Sequence, residues 1–431
     1  MKKTVWAALF LGLALPFFAQ NSATDPQNLP ADARPTLLRF WQKLLADSCL
    51  AEHISQQKWP ARYEHLRPDW VSLEANPDPA RRTRFLIVVT VDGLRWQEVF
   101  GGADSLLLAQ TPDCQADFWA NTPAERRALL MPFLWETVAA EGQLHGNRWL
   151  GSRANVANRR WFSYPGYNEI FGGQPDDERI FSNLKLPNPN TSVFEFLSRR
   201  RGFRDRVAAF ASWDVFSAIL PEKRGHFTVN AGFEPVKATG FGRLNQLSQS
   251  LPRQWGASVR PDVLTFSYAR KWLAERRPRV LLLALGETDE YAHEGKYDAY
   301  LRAARQTDIC LRELWAFVQS SPKYRDRTTL LVTTDHGRGR TASDWQKHNA
   351  RVPGSDEIWF AVIGPDTPVL GEVRGGEAVF QQQFAQTFAR LLGQQFECEH
   401  PVAPAIEAVF RQVLPLKAEP QPVGGAAAVA K

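Results

Sequence analysis

Short apolar runs alternate with longer stretches of helical spacing along most of the sequence. Phe85–Val91, Val280–Leu285, Thr329–Val332 and Ile358–Ile363 are runs of strand length, and they indicate buried strands. The whole pattern predicts strands near 85–91, 206–211, 280–285 and 329–334, and helices near 129–142, 191–200, 262–276 and 297–319. Strands that alternate with helices favour a mainly parallel sheet covered on both faces. We therefore expect an α/β fold with three layers, α/β/α.

One part of the chain departs from this alternation. Residues 221–261 lose periodicity and are rich in Gly, Asn, Gln and aromatic side chains. Long stretches of this kind are typical of surface loops or inserted caps. We expect a loop-rich cap insertion over about 174–261.

Polar residues follow the predicted strands. Asp92 comes directly after the first run, Asp289 and His293 follow Val280–Leu285, Asp335 and His336 follow the third run, and His348 precedes the fourth. The ends of strands in an open α/β sheet are where ligand sites form. Three of the eight histidines fall in these segments beside carboxylates. Neutral imidazole with carboxylate is a ligand mix that suits zinc-like divalent ions, so the sequence predicts a metal site.

Composition excludes few functional classes. The chain has 431 residues, 44% of them hydrophobic and 23% charged, as in an ordinary globular protein long enough for two or three domains. The net charge is +6, but the arginine clusters are short and scattered. This pattern indicates a solvated basic face, and we expect no nucleic-acid-binding module. The oligomeric state is not determined by the sequence.

The N-terminus has the layout of a secretory signal peptide. Lys2 and Lys3 precede an apolar stretch, Val5–Phe18, and small residues follow, which predicts a signal peptide over 1–19 and a periplasmic or secreted protein. The stretch is short for a membrane span, so no span is expected after cleavage. Phe17 fits the cleavage pattern poorly, which leaves an uncleaved anchor as the alternative. Export allows up to two disulfides among four widely spaced cysteines, Cys49, Cys114, Cys310 and Cys398.

The remaining segments complete the predicted domain layout. Residues 20–83 are expected to form an N-terminal helical extension and linker, because helix-like spacing is followed by a stretch rich in Pro and Asp. The domain that carries the predicted metal site is expected over 84–415. Low complexity predicts a disordered tail over 416–431.

The motifs, taken in order, resemble a known family. Asp92 is followed by the segment Phe162–Asn168, then by Asp289 and His293, by Asp335-His336-Gly337 and by His348. This order is similar to that of the alkaline phosphatase superfamily of two-metal hydrolases. The nucleotide pyrophosphatase/phosphodiesterase branch and its bacterial phosphatase-like relatives are the nearest match. The resemblance covers roughly residues 84–365.

The resemblance implies a ligand set for two divalent metal ions, which are zinc or, as the alternative, manganese. Asp92, Asp335 and His336 would hold the first ion together with the hydroxyl of Ser163. The second ion would be held by Asp289, His293 and His348.

The resemblance also implies a nucleophile. Ser163 is followed by Tyr164 and Pro165, as the family pattern requires. A serine hydroxyl is a poor nucleophile at neutral pH, and a coordinated metal lowers its pKa. A phosphoseryl intermediate would form and be hydrolysed by water. Asn183 falls where the diesterase branch has an asparagine that contacts a non-bridging oxygen, and Asn168 competes for that role.

Four residues near these motifs are candidates for substrate contacts: Tyr164, Asn168, Arg338 and Lys347. The last two could bind an anionic leaving group or only balance carboxylate charge. The predicted function is an exported hydrolase of a small phosphorylated substrate, either a monoester or a diester.

Two alternatives stay open. A sulfatase shares the superfamily fold, but its pattern needs an arginine where this chain has Tyr167, and its metal site has fewer histidines than this one. The second alternative is a catalytically silent surface binding protein on the same scaffold.

Overall fold

A computed structural model describes residues 82–111 and 114–410. All of them belong to one compact unit, residues 69–431. The predicted signal peptide, nearly all of the predicted extension over 20–83, and the predicted tail over 416–431 lie outside the described residues, as does Cys49.

The described chain is built on an eight-stranded sheet in the order β10-β2-β9-β7-β1-β6-β4-β5. Strand β9 is antiparallel to both of its neighbours, and all other neighbouring strands in this sheet run parallel. A small second sheet has the order β11-β3-β8. The strands are β1 Phe85–Val91, β2 Gln143–His145, β3 Ala154–Asn155, β4 Val207–Ala211, β5 Thr228–Ala231, β6 Val280–Leu285, β7 Thr328–Thr333, β8 Glu357–Ile358, β9 Phe360–Ile363, β10 Gly371–Glu372 and β11 Val379–Phe380.

Helices connect these strands, as the sequence predicted. They are α1 Trp96–Gly101, α2 Ser105–Leu108, α3 Gln115–Phe118, α4 Pro123–Leu130, α5 Ala139–Glu141, α6 Ser163–Gly172, α7 Val193–Ser198, α8 Phe216–Ile219, α9 Glu222–Gly225, α10 Gly242–Ser250, α11 Asp262–Arg276, α12 Glu287–His293, α13 Tyr297–Ser320 and α14 Phe384–Leu391. A π-helical turn covers Leu134–Val138, and 3-10 turns cover Arg148–Leu150, Gln381–Gln383 and Glu407–Val409.

Both faces of the sheet are covered. All seven residues of β1 and all six of β6 are buried, as expected for a parallel sheet between two layers. On one face Phe210 packs against Trp272 of α11, with ring centroids 5.6 Å apart. On the other face a hydrophobic cluster joins Val88 to residues of α6, α7 and α14. The predicted α/β/α architecture with a mainly parallel sheet is therefore confirmed.

Two predicted elements are divided in the structure. The single run Ile358–Ile363 forms the end of β8 and the whole of β9, which belong to different sheets. The buried Trp359 lies between them and donates a hydrogen bond from Nε1 to the carbonyl of Leu94, 2.9 Å away. The helix predicted near 129–142 is interrupted at Met131, because the residue before a proline, here Pro132, is disfavoured in the helical conformation.

The segment predicted as a cap, 174–261, also contributes to the central sheet. It contains β4 and β5, which extend the sheet beyond β6. Strand β5 has only four residues, one of them Asn230, so its apolar pattern is too short to stand out in the sequence. The part between β5 and α11 holds α10 and has no strand of the sheet among its described residues.

The three described cysteines, Cys114, Cys310 and Cys398, are free thiols, so none of them forms a disulfide with another. In the described part of the chain no helix has both the length and the apolar character that crossing a membrane requires.

Gly166 allows α6 to approach the end of β7 closely. A Cβ at this position would lie 2.5 Å from the backbone oxygen of Asp335. We expect Gly166→Ala to lower the free energy of unfolding by about 1–3 kcal/mol, because the helix must move away. Urea unfolding measures this change. Gly242→Ala is the control, since a Cβ there meets nothing within 4 Å, and unchanged stability of Gly166→Ala would contradict the contact.

His145 makes the fold sensitive to acid. Burial lowers the pKa of His145 to about 4 from 6.5, so the folded protein keeps the imidazole neutral while the unfolded chain takes up a proton. The resulting stability is present above pH 6.5 and is lost as the pH falls towards 4, by roughly 3 kcal/mol.

Urea unfolding at pH 7 and pH 4.5 tests this dependence. The loss of stability between the two pH values should be smaller in His145→Gln than in the wild type. It should be unchanged in His226→Gln, which alters an exposed histidine. Equal losses in all three proteins would refute the assignment.

Candidate active site

Helix α6 begins at Ser163 and directs it to the carboxyl end of β7. Phe162, the residue before the helix, is extended, and Trp161 before it has a φ of +55°. This turn leaves the Ser163 hydroxyl 3.4 Å from Nε2 of His336. One turn further along α6, the hydroxyl of Tyr167 donates a hydrogen bond to Asp92 Oδ2 at 3.1 Å. The first two turns of one helix therefore hold the predicted nucleophile and contact a predicted ligand.

The first group of predicted ligands is buried beside Ser163. Nε2 of His336 lies 3.3 Å from Asp92 Oδ1 and 3.5 Å from Asp335 Oδ2. The other carboxylate oxygen of Asp335 accepts a hydrogen bond from the amide of Gly93 at 3.1 Å. His336 Nδ1 lies 2.9 Å from the carbonyl of Gly337, which leaves Nε2 as the acceptor that faces the carboxylates. The donor atoms of Asp92, Asp335 and His336 all lie within 4.8 Å of one another.

The second group lies next to the first and is more open. His293 Nε2 is 3.1 Å from Asp289 Oδ2 and 3.0 Å from His348 Nε2. The His348 side chain is held by its Nδ1, which is 3.3 Å from the carbonyl of Trp161, and its ring stacks on His336 with centroids 3.9 Å apart. Asp289, His336 and His348 form a second set whose donor atoms lie within 4.8 Å. The structure thus brings all seven predicted metal-site residues together, and their role as ligands stays a prediction.

The site has the properties of a divalent metal centre. Asp92 Oδ1 and Asp335 Oδ2 are buried oxygens without a hydrogen-bond partner. A buried carboxylate oxygen that lacks a partner is costly unless a cation or a donor satisfies it. Two such oxygens that face the same imidazole nitrogen fit a divalent ion. The residues present therefore fit the predicted metal, although nothing in them selects zinc over manganese.

Burial and mutual repulsion shift the pKa values of these groups. Burial, followed by the charge of a neighbouring carboxylate, raises the pKa of both Asp92 and Asp335 well above the usual range. Burial acts in the same direction on Asp289, but Arg338 and nearby histidines overcome it, and its pKa is well below the usual range. Burial, His336 and Arg338 lower the pKa of His348, so its imidazole is neutral, as a metal ligand must be.

Arg338 is placed where it balances carboxylate charge, the second of the two roles predicted for it. Its side chain is fully buried and forms an ion pair with Asp289 Oδ1. Its other hydrogen bonds go to the backbone oxygens of Gly93 at 3.1 Å, Asp289 at 3.2 Å and Gln346 at 2.7 Å. These hydrogen bonds all go to the loops that carry the site, and a contact between Arg338 and substrate stays a prediction.

The other predicted substrate contacts differ from one another. The Asn168 side chain is buried and hydrogen-bonds Gln174, Asn188 and Asn190, so it stabilises a loop rather than the site. Tyr164 is buried, and its hydroxyl donates to the carbonyl of Leu186 at 2.6 Å. The Lys347 side chain is exposed, and the described residues include no hydrogen-bond partner for it.

Asn183 lies next to the predicted nucleophile. Its Oδ1 accepts a hydrogen bond from the amide of Tyr164 at 3.0 Å, although the two residues are 19 positions apart. The residue is exposed, and this bond orients its side-chain amide beside the start of α6. The position is compatible with a contact to a substrate oxygen, which stays a prediction.

Several residues that support the ligands were not predicted. Asp262, at the start of α11, accepts hydrogen bonds from the amides of Gly286 at 2.8 Å and Glu287 at 3.0 Å, and so fixes the start of α12. Gln381 donates to the carbonyl of Asp335 at 2.7 Å. Only the hydroxyl of Tyr167 had a recognisable signal, since it follows Ser163 by four residues on a helix. Such supporting contacts orient metal ligands in proteins generally.

The fold has counterparts among solved structures, although no protein-family model and no curated protein matches the sequence. The alkaline phosphatase PafA matches with a TM-score of 0.51 and 12% identity, over 78% of this chain and 100% of that one. The lipoteichoic acid synthase LtaP from Listeria monocytogenes matches at 0.49 and 12%, over 78% and 79% of the chains. A phosphonate monoester hydrolase from Silicibacter pomeroyi matches at 0.46 and 11%, over 73% and 74%. The match to PafA, together with the observed sheet, shows that this chain has the alkaline-phosphatase-like fold, and the resemblance predicted from its motifs is confirmed for the fold.

Proposed function

We propose that this protein is a metal-dependent hydrolase of phosphate esters that uses Ser163 as its nucleophile. One observation carries the proposal. The Ser163 hydroxyl lies 3.4 Å from His336 Nε2, the nitrogen that also faces the two unpaired oxygens of Asp92 and Asp335. A hydroxyl beside such a group of ligands has the position that a metal-activated nucleophile would occupy.

The metals would be held by Asp92, Asp335 and His336 on one side and by Asp289, His293 and His348 on the other. When bound, they would neutralise charge on the phosphoryl group and lower the pKa of the Ser163 hydroxyl. The Ser163 oxygen would form a bond to phosphorus and give its proton to solvent, while the bond from phosphorus to the ester oxygen breaks and that oxygen takes a proton from water. Water then hydrolyses the phosphoseryl bond.

Other residues of the chain position these groups. Trp161 orients His348 through its carbonyl, and Tyr167 fixes Asp92. Asn183, oriented by the Tyr164 amide, would donate a hydrogen bond from Nδ2 to a non-bridging phosphoryl oxygen.

Tyr167 also favours a phosphate ester over a sulfate ester. Its hydroxyl is bonded to Asp92, so the position at which a sulfatase pattern needs arginine supplies no positive charge. The three histidines of the site favour a softer ion than the calcium-like ion of an oxygen-rich centre. The proposal includes export of the protein, which is expected from the predicted signal peptide, residues 1–19. These residues lie outside the part of the chain that the structure describes.

A substrate panel tests the reaction class. The purified protein, loaded with Zn²⁺ or Mn²⁺, is assayed on p-nitrophenyl phosphate, bis-p-nitrophenyl phosphate and p-nitrophenyl sulfate, with and without a chelator. We expect a phosphate ester to be hydrolysed. The chelator should abolish turnover, because it removes the metal ions that the reaction requires. Turnover of the sulfate alone would replace the proposal by a sulfatase. Bound metal without any turnover would favour a binding protein.

Substitution of the nucleophile separates chemistry from metal binding. Ser163→Ala should reduce kcat at least about a thousandfold, because alanine lacks the attacking oxygen. Metal content, measured by atomic emission, should stay near the wild-type value, since the charged ligands remain. Ser182→Ala is the control and should keep the wild-type kcat, because the Ser182 hydroxyl only accepts a hydrogen bond from a nearby loop amide. Wild-type activity in Ser163→Ala would show that another group is the nucleophile.

Substitution of a ligand should give a different result. Asp335→Asn removes the charge of a fully buried carboxylate, so we expect both metal content and activity to fall. Full metal content in this variant, measured in the same way, would contradict the assignment of Asp335 as a ligand.

A further inference from the structure

Arg338 joins three loops that carry the site. It donates to the carbonyl of Gly93 after β1, to Asp289 after β6, and to the carbonyl of Gln346, two residues before His348. The guanidinium is fully buried, whereas the Asp289 side chain keeps 14% of its surface exposed. Arginine side chains remain charged in proteins, so Arg338 places a positive charge directly beside the negative charge of Asp289.

The contact divides the two oxygens of Asp289 between different partners. Oδ1 is paired with Arg338, while Oδ2 lies 3.1 Å from His293 Nε2. Oδ2 therefore faces His293, whereas Oδ1, which Arg338 already holds, lies 3.7 Å from His348 Nε2. Arg338 orients this carboxylate and at the same time neutralises its charge.

The two ligand groups consequently differ in charge. Asp92 and Asp335 give the first group two carboxylates, and none of the recorded hydrogen bonds of Arg338 goes to either of them. The second group has one carboxylate, paired with arginine, and two imidazoles. The charge of Arg338 also acts on Asp92, but at the second group Arg338 contacts the ligand Asp289 directly, so it repels a divalent cation more strongly there.

The two groups also differ in access to water. The side chains of Asp335 and His336 are 0% exposed, and that of His293 is 49% exposed. Water can therefore compete for an ion at the second group far more easily than at the first. This difference in exposure weakens ion binding at the second group, as the charge difference also does.

We propose that Arg338 sets the order in which the protein takes up divalent cations. The site formed by Asp92, Asp335 and His336 fills first and tightly. The site formed by Asp289, His293 and His348 fills second, with a dissociation constant at least about tenfold higher. The inference rests on the proposed function, because it takes the assignment of the metal ligands from it. The inference itself concerns metal binding and not turnover.

A Co²⁺ titration of the full chain, freed of metal with a chelator and dialysed, tests the order. Visible absorption and calorimetry should resolve two phases of one equivalent each. His348→Ala should remove the weaker phase and leave the tighter one, and Asp335→Asn should weaken or remove the tighter one. Uptake of both equivalents in a single phase by the wild type would overturn the proposal.

Substitution of the arginine tests its role. Arg338→Met should tighten the weaker phase at least about tenfold, because the repelling charge is gone, and should change the tighter phase much less. Arg340→Met is the matched control, since Arg340 is two residues away and pairs with Glu357, which is not a ligand. Both constants should be unchanged in this control. An unchanged weaker phase in Arg338→Met would overturn the proposal.

Two further results keep the test decisive. If Arg338→Met fails to fold, Arg338→Lys replaces it. This variant keeps the charge, so it should keep two phases, and a merging of the two would overturn the proposal. The assay is independent of ester hydrolysis: two-phase binding without turnover would refute the proposed function alone, and turnover with single-phase binding would refute this inference alone.

Discussion

Strand β1 lies between β6 and β7 and is parallel to both, and the site depends on this pairing. The registers place Thr90 beside Ala284 and Thr333, so the three strands end at the same level. The residues that follow them, Asp92, Asp289 and Asp335, therefore meet at one edge. Parallel pairing brings the carboxyl ends of strands together, which is the geometric reason that ligand sites form there.

Bringing three carboxylates to one buried edge is unfavourable in itself. Like charges repel, and burial disfavours the ionised form, which is why the pKa values of Asp92 and Asp335 are raised. Part of this cost is offset by donors from the chain, namely Arg338 to Asp289, the Gly93 amide to Asp335 and Tyr167 to Asp92. Two oxygens are left without a donor, and that remaining deficit is what a bound cation would satisfy.

Small residues let the loops approach closely enough for these contacts. Gly93 has a φ of +59°, and a Cβ there would lie 2.8 Å from both Arg338 Nε and Asp289 Oδ1. Gly337, between His336 and Arg338, lies against the backbone oxygens of Gly354 and Glu357. The sequence Asp-His-Gly-Arg thus combines ligands, a close backbone contact and the residue that joins the loops.

The sequence by itself determined the layered α/β fold, the strands near 85–91, 280–285 and 329–334, and the residues that meet at their ends, because continuous apolar runs and polar residues after them are local signals. The tertiary structure alone decided the role of Arg338, the loop contacts of Asn168 and the place of β5 at the edge of the sheet. The local sequence around an arginine that lies beside ligands is the same whether its side chain contacts substrate or pairs with a carboxylate 49 residues away in another loop. The order of the strands in the sheet decides which distant residues become partners. No pattern within a single segment of the sequence encodes that order.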